Sequence, residues 1–121
     1  MSVTRHQRWS AGALERVKAR KSGGDSSKYR TLCMKMPGLI KQAGLVQALV
    51  FMESREKELG KGFVEDLAKV YGSKTLLADA QKQELAPYLA MTNDLSQIAI
   101  WFRRFAQIEL EGAGETQEAE A

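Results

Sequence analysis

A chain of 121 residues is long enough to form one domain with a substantial buried core. Apolar residues make up 44% of it and charged residues 27%, which is ordinary for a soluble globular protein. Its single cysteine excludes an internal disulfide and a zinc cluster built from cysteines. The first residues show no apolar run of the kind found in signal peptides, so we expect a cytoplasmic protein.

Charge is distributed unevenly along the chain, although the formal net charge is only +3. Residues 1–52 carry ten basic and two acidic side chains, a net charge of +8, whereas the remainder carries a net charge of −5. A basic first half favours contact with a polyanion, the alternative being a solvated basic face without a partner. The acidic tail, residues 111–121, is poor in apolar residues, and we expect it to be frayed or disordered.

The first two predicted elements are helices. One begins near Ser2 or Thr4, runs to about Lys21, and ends at the Ser-Gly-Gly-Asp turn. The next is predicted to kink or restart at Pro37 and to stop at Gly44, since proline lacks the amide that bonds back along the helix. Its apolar stripe, at spacings of three and four, consists of Tyr29, Leu32, Cys33, Met36 and Ile40.

A third helix, apolar, is predicted from Leu45 to about Lys57. The glycines of 60–62 then predict a flexible joint before a fourth helix, which ends at Gly72. The stretch 34–52 is almost wholly apolar, but its two lysines and its proline and glycines argue against a membrane span.

The last part of the chain is predicted to hold one or two short helices, broken near Pro87, and then a long helix. Thr92 or Asn93 is expected to cap the long helix, which runs to about Glu111. No stretch alternates apolar and polar residues as a half-buried strand does. The sequence therefore predicts an all-α, single-domain bundle of about six helices over residues 1–110.

Candidates for catalytic chemistry are few. His6 is the only histidine, and we expect it to be half-buried and structural. The alternative is a small ribonuclease that uses His6, with Arg5 and Arg8 as phosphate clamps. The glycine-containing loops at 60–62 and 72–75 lack the full phosphate-loop pattern. We therefore predict no enzyme activity, no cofactor and no metal site.

Basic residues gather on the first helix. Four arginines share one arc of the helical wheel with Trp9, which could stack on a base or pack against a neighbouring helix. Three lysines and Arg30, beyond the arc, could extend it. Such side chains grip phosphate without reading sequence, so binding would be non-specific and salt-sensitive. The candidate phosphate-binding residues, chosen on charge placement alone, are Arg5, Arg8, Arg16, Arg20, Lys21, Lys28 and Lys35.

Two blocks of residues form a specific pattern along the chain. The first block is Tyr29, Met36-Pro37-Gly38-Leu39-Ile40 and Gly44-Leu45-x-Gln47-Ala48-Leu49-x-Phe51. The second is Tyr88-x-x-x-Thr92-x-x-Leu95 and Trp101-Phe102-Arg103-Arg104-Phe105-Ala106. Together they resemble the signatures of a known family, the small α-helical subunit of the type III-B CRISPR effector, the Cmr (RAMP module) complex. The resemblance covers about residues 3–110.

The resemblance implies a non-catalytic subunit that stacks with copies of itself as an inner filament. It would contact the backbone and large subunits and line the path of the guide and target RNA, binding RNA weakly when isolated. The signature residues are mainly apolar, so the RNA-facing set still rests on charge. The chief alternative is a free-standing helix-turn-helix-like regulator, disfavoured because the helix after Gly44 is apolar.

Overall fold

A computed structural model describes residues 3–111 of the chain. Within that range the protein consists of six helices and no strands, which confirms the all-α fold. The predicted disordered tail falls, from residue 112 onward, outside the described residues. The helices are α1 (Arg5–Ala19), α2 (Ser26–Ala43), α3 (Leu45–Glu53), α4 (Glu58–Tyr71), α5 (Leu76–Lys82) and α6 (Leu85–Glu109).

Helix α6 is the centre of the fold, and α1, α2 and α4 all pack against it. Three aromatic rings join these elements: Phe63 of α4 meets Tyr29 of α2 edge-on at 5.5 Å and Phe102 of α6 edge-on at 5.9 Å. The predicted stripe of α2 is buried in this core throughout its length. No helix within residues 3–111 is long and apolar enough to cross a membrane.

Side-chain contacts set the start of two helices. Thr4 and Gln7 form a reciprocal capping box at the start of α1, in which the Gln7 amide donates to Thr4 Oγ1 at 3.0 Å. At the corner between α2 and α3, Gly44 adopts φ +89°. The Val46 amide just beyond donates to the Tyr88 hydroxyl of α6 at 3.1 Å, so α6 caps α3 and holds the corner.

The predicted glycine joint at 60–62 is wrong. Helix α3 ends at Glu53, earlier than predicted, and α4 begins at Glu58, so the glycines lie inside a helix. A Cβ on Gly60 would collide with the carbonyl oxygens of Met52 and Arg55, so this glycine permits a close backbone approach.

No helix ends or restarts at either proline. Helix α2 continues through Pro37 to Ala43. Helix α6 starts at Leu85 and runs unbroken past Thr92 and Asn93, so neither residue is a cap. Pro87 lies in the first turn of α6, where backbone amides have no partner inside the helix and proline is tolerated.

Candidate nucleic-acid interface

The middle of the predicted basic arc is a packing surface. Trp9 is only 5% exposed, which settles its role as a core residue that covers one end of the bundle. The Arg5 guanidinium lies 4.9 Å from the Trp9 ring centroid, and the His6 ring meets it edge-on at 5.1 Å. His6 is itself exposed, because it sits in the first turn of α1 beyond the end of the core, so its predicted half-burial is wrong.

Two arginines of the arc converge on a buried carboxylate of α4. Asp66 is 4% exposed, and its Oδ2 accepts from Arg20 Nε at 3.2 Å and Nη2 at 3.1 Å. Arg16 Nη1 lies 3.6 Å from Oδ1. Gly62 makes room for this arrangement, since a Cβ there would stand 2.9 Å from Arg20 Nη2. The carboxylate thus joins α1 to α4.

Tyr29 brings α2 into the same cluster. Its hydroxyl donates to Asp66 Oδ2 at 2.6 Å. Burial raises the pKa of Tyr29 far above its ordinary value, and the neighbouring Cys33 and Asp66 raise it further. The phenol therefore stays neutral and remains a donor. The Asp66 cluster, Asp66 with Tyr29, Arg16 and Arg20, connects three helices and satisfies a charge that would be costly to bury alone.

Three other predicted residues also pair with carboxylates. Arg5 lies 3.6 Å from Asp94 of α6, and Lys21 lies 3.1 Å from Glu109 at the other end of the same helix. These two pairs show that α1 runs parallel to the second half of α6. Lys28 Nζ lies 3.7 Å from Glu56.

Arg8 and Lys35 differ from the other five predicted residues. Both are exposed, and neither forms an ion pair within the described range. Arg8 makes one long hydrogen bond, at 3.4 Å, to the Val3 carbonyl. Lys35 lines a groove between α2 and α3. The structure therefore brings Arg16 and Arg20 together inside the fold and leaves Arg8 and Lys35 available to a partner.

Sequence reasoning missed Asp66 and gave little weight to two arginines of α6. A signal for Asp66 existed: it lies on the apolar stripe of α4 beside Phe63 and Leu67, where a carboxylate requires partners. Arg103 and Arg104 are exposed on α6, without an ion pair in residues 3–111. They entered the sequence argument only as part of a signature, although their charge alone could have drawn attention.

The helix-turn-helix-like alternative gains no matching recognition helix. Helix α3, which follows the Gly44 corner, buries Leu45, Ala48, Leu49 and Met52, so it is not an exposed recognition helix. Across residues 3–111, no group of three or more histidine, cysteine or acidic side chains is placed to hold a metal ion.

Fold and surface together define a small all-α protein with a buried apolar core and exposed basic residues on α1 and α2. A family model described as CRISPR-associated protein (Cas_Cmr5) matches residues 5–109. The chain is 43% identical, over 111 residues, to the CRISPR system Cmr subunit Cmr5 of Thermus thermophilus, covering 89% of this chain and 97% of that one. It belongs to the Cmr5 family, as the resemblance of its two sequence blocks indicated.

A solved structure shows the same fold. The X-ray crystal structure of a CRISPR-associated Cmr5 family protein from Thermus thermophilus superimposes with a TM-score of 0.88 at 41% identity. The match covers 91% of this chain and 100% of that chain. The six-helix arrangement described above is therefore the architecture of the family.

Proposed function

We propose that this protein is a non-catalytic structural subunit of a type III-B (Cmr) CRISPR effector complex. In this role it stacks with copies of itself as an inner filament and lines the path of the guide and target RNA. The observation that carries the proposal is the whole-length match to a relative whose name makes it a Cmr subunit. Its partners are then the backbone and large subunits, other copies of the chain, and RNA.

The charge distribution supports the RNA-facing part of the proposal. The net charge of +8 over residues 1–52 suits a polyanion. Among the seven candidate residues, Arg8 and Lys35 are the best placed, because their charges are not matched by a carboxylate in the described structure. The remaining five are paired with carboxylates, so each would bind an RNA phosphate only in addition to its carboxylate or in place of it.

Avidity is the mechanism that we infer. Each copy offers a few exposed phosphate contacts, which are weak individually and screened by salt. Several copies held along one RNA add these contacts with little further entropic cost, so target retention becomes strong only after assembly. The isolated chain is then a weak RNA binder, and nanomolar binding of single-stranded RNA by it in physiological salt would contradict this account.

The placement of polar groups supports a role without catalysis. The buried acid Asp66 accepts from Tyr29 and Arg20 at one oxygen and lies beside Arg16 at the other, so both oxygens are engaged in holding helices together. His6 is exposed and contacts only Trp9 among the ring contacts described. The ribonuclease alternative is tested by His6→Ala: RNA cleavage by the purified chain that this variant abolishes would overturn the proposal.

Charge reversal in the assembled complex tests the RNA path. Arg8→Glu/Lys35→Glu changes two exposed residues without disturbing the Asp66 cluster, unlike reversal of Arg16 and Arg20. We expect target RNA binding by the complex to weaken by at least about tenfold in low salt, because each copy neutralises two fewer phosphates. The matched control is Lys61→Glu/Lys82→Glu, which reverses two exposed lysines of α4 and α5. Equal binding of target RNA by both doubly reversed complexes would remove Arg8 and Lys35 from the RNA path.

A further inference from the structure

Gly38 has no structural reason to be a glycine within the described chain. It lies in the interior of α2, its φ is not in the left-handed range, and a Cβ there would meet nothing within 4 Å. A glycine in a helix interior destabilises the folded state relative to alanine, because its more flexible unfolded chain loses more conformational freedom on folding. The space beside Gly38 is therefore kept open at a cost in folding stability, which indicates that a group from another molecule enters it.

The space belongs to a groove between α2 and α3. Lys35, Gly38, Leu39 and Gln42 of α2 and Phe51 of α3 line it, and it holds about 270 Å³. This is slightly below the roughly 300–1,000 Å³ of pockets that enclose a drug-sized ligand, so it suits a single flat group. The Arg55 guanidinium lies over the Phe51 ring, 5.0 Å from its centroid, and is not part of the groove lining. Among the described residues, no acidic side chain lines the groove.

We propose that this Gly38 groove binds one unpaired base of RNA. The Phe51 ring in the groove lining is an aromatic group of the kind on which bases stack, and Leu39 extends the apolar wall. The Gln42 amide carries both a donor and an acceptor, which matches the polar edge of a base. Lys35 provides a positive charge for the adjoining phosphate.

The combination of features favours RNA over a protein side chain. An apolar side chain of a partner would be satisfied by Leu39 and Phe51 alone and would gain nothing from the Lys35 cation. A base always arrives with a phosphate, so a flat apolar groove flanked by positive charge fits both parts of a nucleotide. The identification of the polyanion as RNA rests on the proposed function.

Filling the groove is the direct test. Gly38→Leu places a side chain in the open space, where its Cβ meets no atom within 4 Å, and the full-length protein is titrated with a fluorescent oligouridine RNA in low salt. We expect the affinity to fall by at least about fivefold, the lower end of what base–aromatic stacking contributes, while the melting temperature stays equal or rises. The control is Ala78→Leu, the same side chain on an exposed position of α5, which leaves the affinity unchanged.

Ultraviolet crosslinking locates the base independently. We expect irradiation of the wild-type chain with oligouridine to attach RNA to the tryptic peptide 42–55, which contains Phe51 and Gln42. The crosslink disappears in Gly38→Leu and persists in Ala78→Leu. A crosslink confined to other peptides overturns the proposal.

Three outcomes separate this site from its alternatives. If Gly38→Ala lowers the melting temperature, the helix itself needs the glycine, for instance next to Pro37, and the proposal fails. If Gly38→Leu prevents assembly with other subunits but leaves RNA affinity intact, the groove docks protein instead, and the proposal again fails. If Gly38→Leu and the wild-type chain bind RNA equally, this site alone is refuted.

A different result would refute the proposed function itself, namely a wild-type complex whose RNA does not touch this subunit.

Discussion

At the scale of single residues, Asp66 is the group on which the packing of α1, α2 and α4 depends. We predict that Asp66→Ala lowers the free energy of unfolding by about 2–4 kcal/mol. Loss of a buried ion-pair partner costs about 3–5 kcal/mol, and the partial exposure of the arginines reduces that by roughly 1 kcal/mol. The reason is that Tyr29 and two guanidiniums lose their acceptor together. Urea denaturation measures the change.

Asp94→Ala is the matched control for that measurement. Asp94 also pairs with an arginine across two helices, but the Arg5 side chain is 58% exposed. Exposed pairs contribute about 0–1 kcal/mol, so the control variant should unfold close to the wild type. If Asp66→Ala were no more destabilising than Asp94→Ala, the Asp66 cluster would be incidental to the fold.

The buried thiol of Cys33 leads to a prediction of how the free energy of unfolding changes at alkaline pH. Burial raises the pKa of its thiol well above the ordinary value, and the charge of Asp66 raises it further. A raised pKa in the folded state means that unfolding releases a proton once the pH exceeds the unfolded value. The contribution of the neutral thiol to the free energy of unfolding therefore has its full value below about pH 8.5. Above that pH the contribution declines by up to about 1.4 kcal/mol per pH unit.

Comparing two proteins isolates the effect of the thiol. We expect the free energy of unfolding to fall more steeply between about pH 8.5 and pH 10 in the wild type than in Cys33→Ala, since the variant lacks the thiol and keeps only the raised pKa values of Tyr29 and the partly buried Tyr71 among the described tyrosines. Urea denaturation across that range provides the measurement. Parallel curves for the two proteins would contradict the assignment of a neutral, buried thiol.

At the scale of the helix, two glycines inside helices have opposite roles. We predict that Gly60→Ala destabilises the protein by at least about 2 kcal/mol, because the new Cβ collides with backbone carbonyls of Met52 and Arg55 that cannot rotate away. Gly38→Ala is the matched control and is expected to stabilise by about 0.5–1 kcal/mol. Thermal unfolding followed by circular dichroism compares them, and equal shifts in the same direction would contradict the geometry at Gly60.

Periodicity located the helices, but it did not locate every boundary. The stripe of α2 and the Thr4 cap of α1 are local features, and both appear in the structure where the sequence predicts them. The glycines of α4 and the proline of α6 were interpreted as breakers, because their intrinsic preferences point that way. At Gly60 the deciding contact comes from α3, and at Pro87 it is the position within the first turn, so neither could be read from propensity.

At the scale of the whole molecule, the balance of paired and unpaired charge sets the RNA interaction that we propose. We predict that log affinity for single-stranded RNA falls linearly with log salt, and that Arg8→Glu/Lys35→Glu reduces the slope by about 1.4 for each copy that contacts the RNA, or about 0.7 for each phosphate that is no longer neutralised. Titrations of the assembled complex at several salt concentrations measure the slope. The Lys61→Glu/Lys82→Glu complex should keep the wild-type slope, and a reduced slope in that complex would show a general charge effect instead of a defined path.

The sequence by itself determined the fold class, the core stripe of α2 and the family, because helical periodicity and the two signature blocks are written in local order along the chain. It also located the excess of positive charge in residues 1–52. Only the tertiary structure decided which of those charges are paired within the fold and which remain exposed. Burial and ion pairing depend on residues far apart in sequence, as when Asp66 draws Arg16 and Arg20 inward while Arg8 and Lys35 remain exposed. The open space at Gly38 was decided in the same way, since α2 and α3 form the groove only when they pack together.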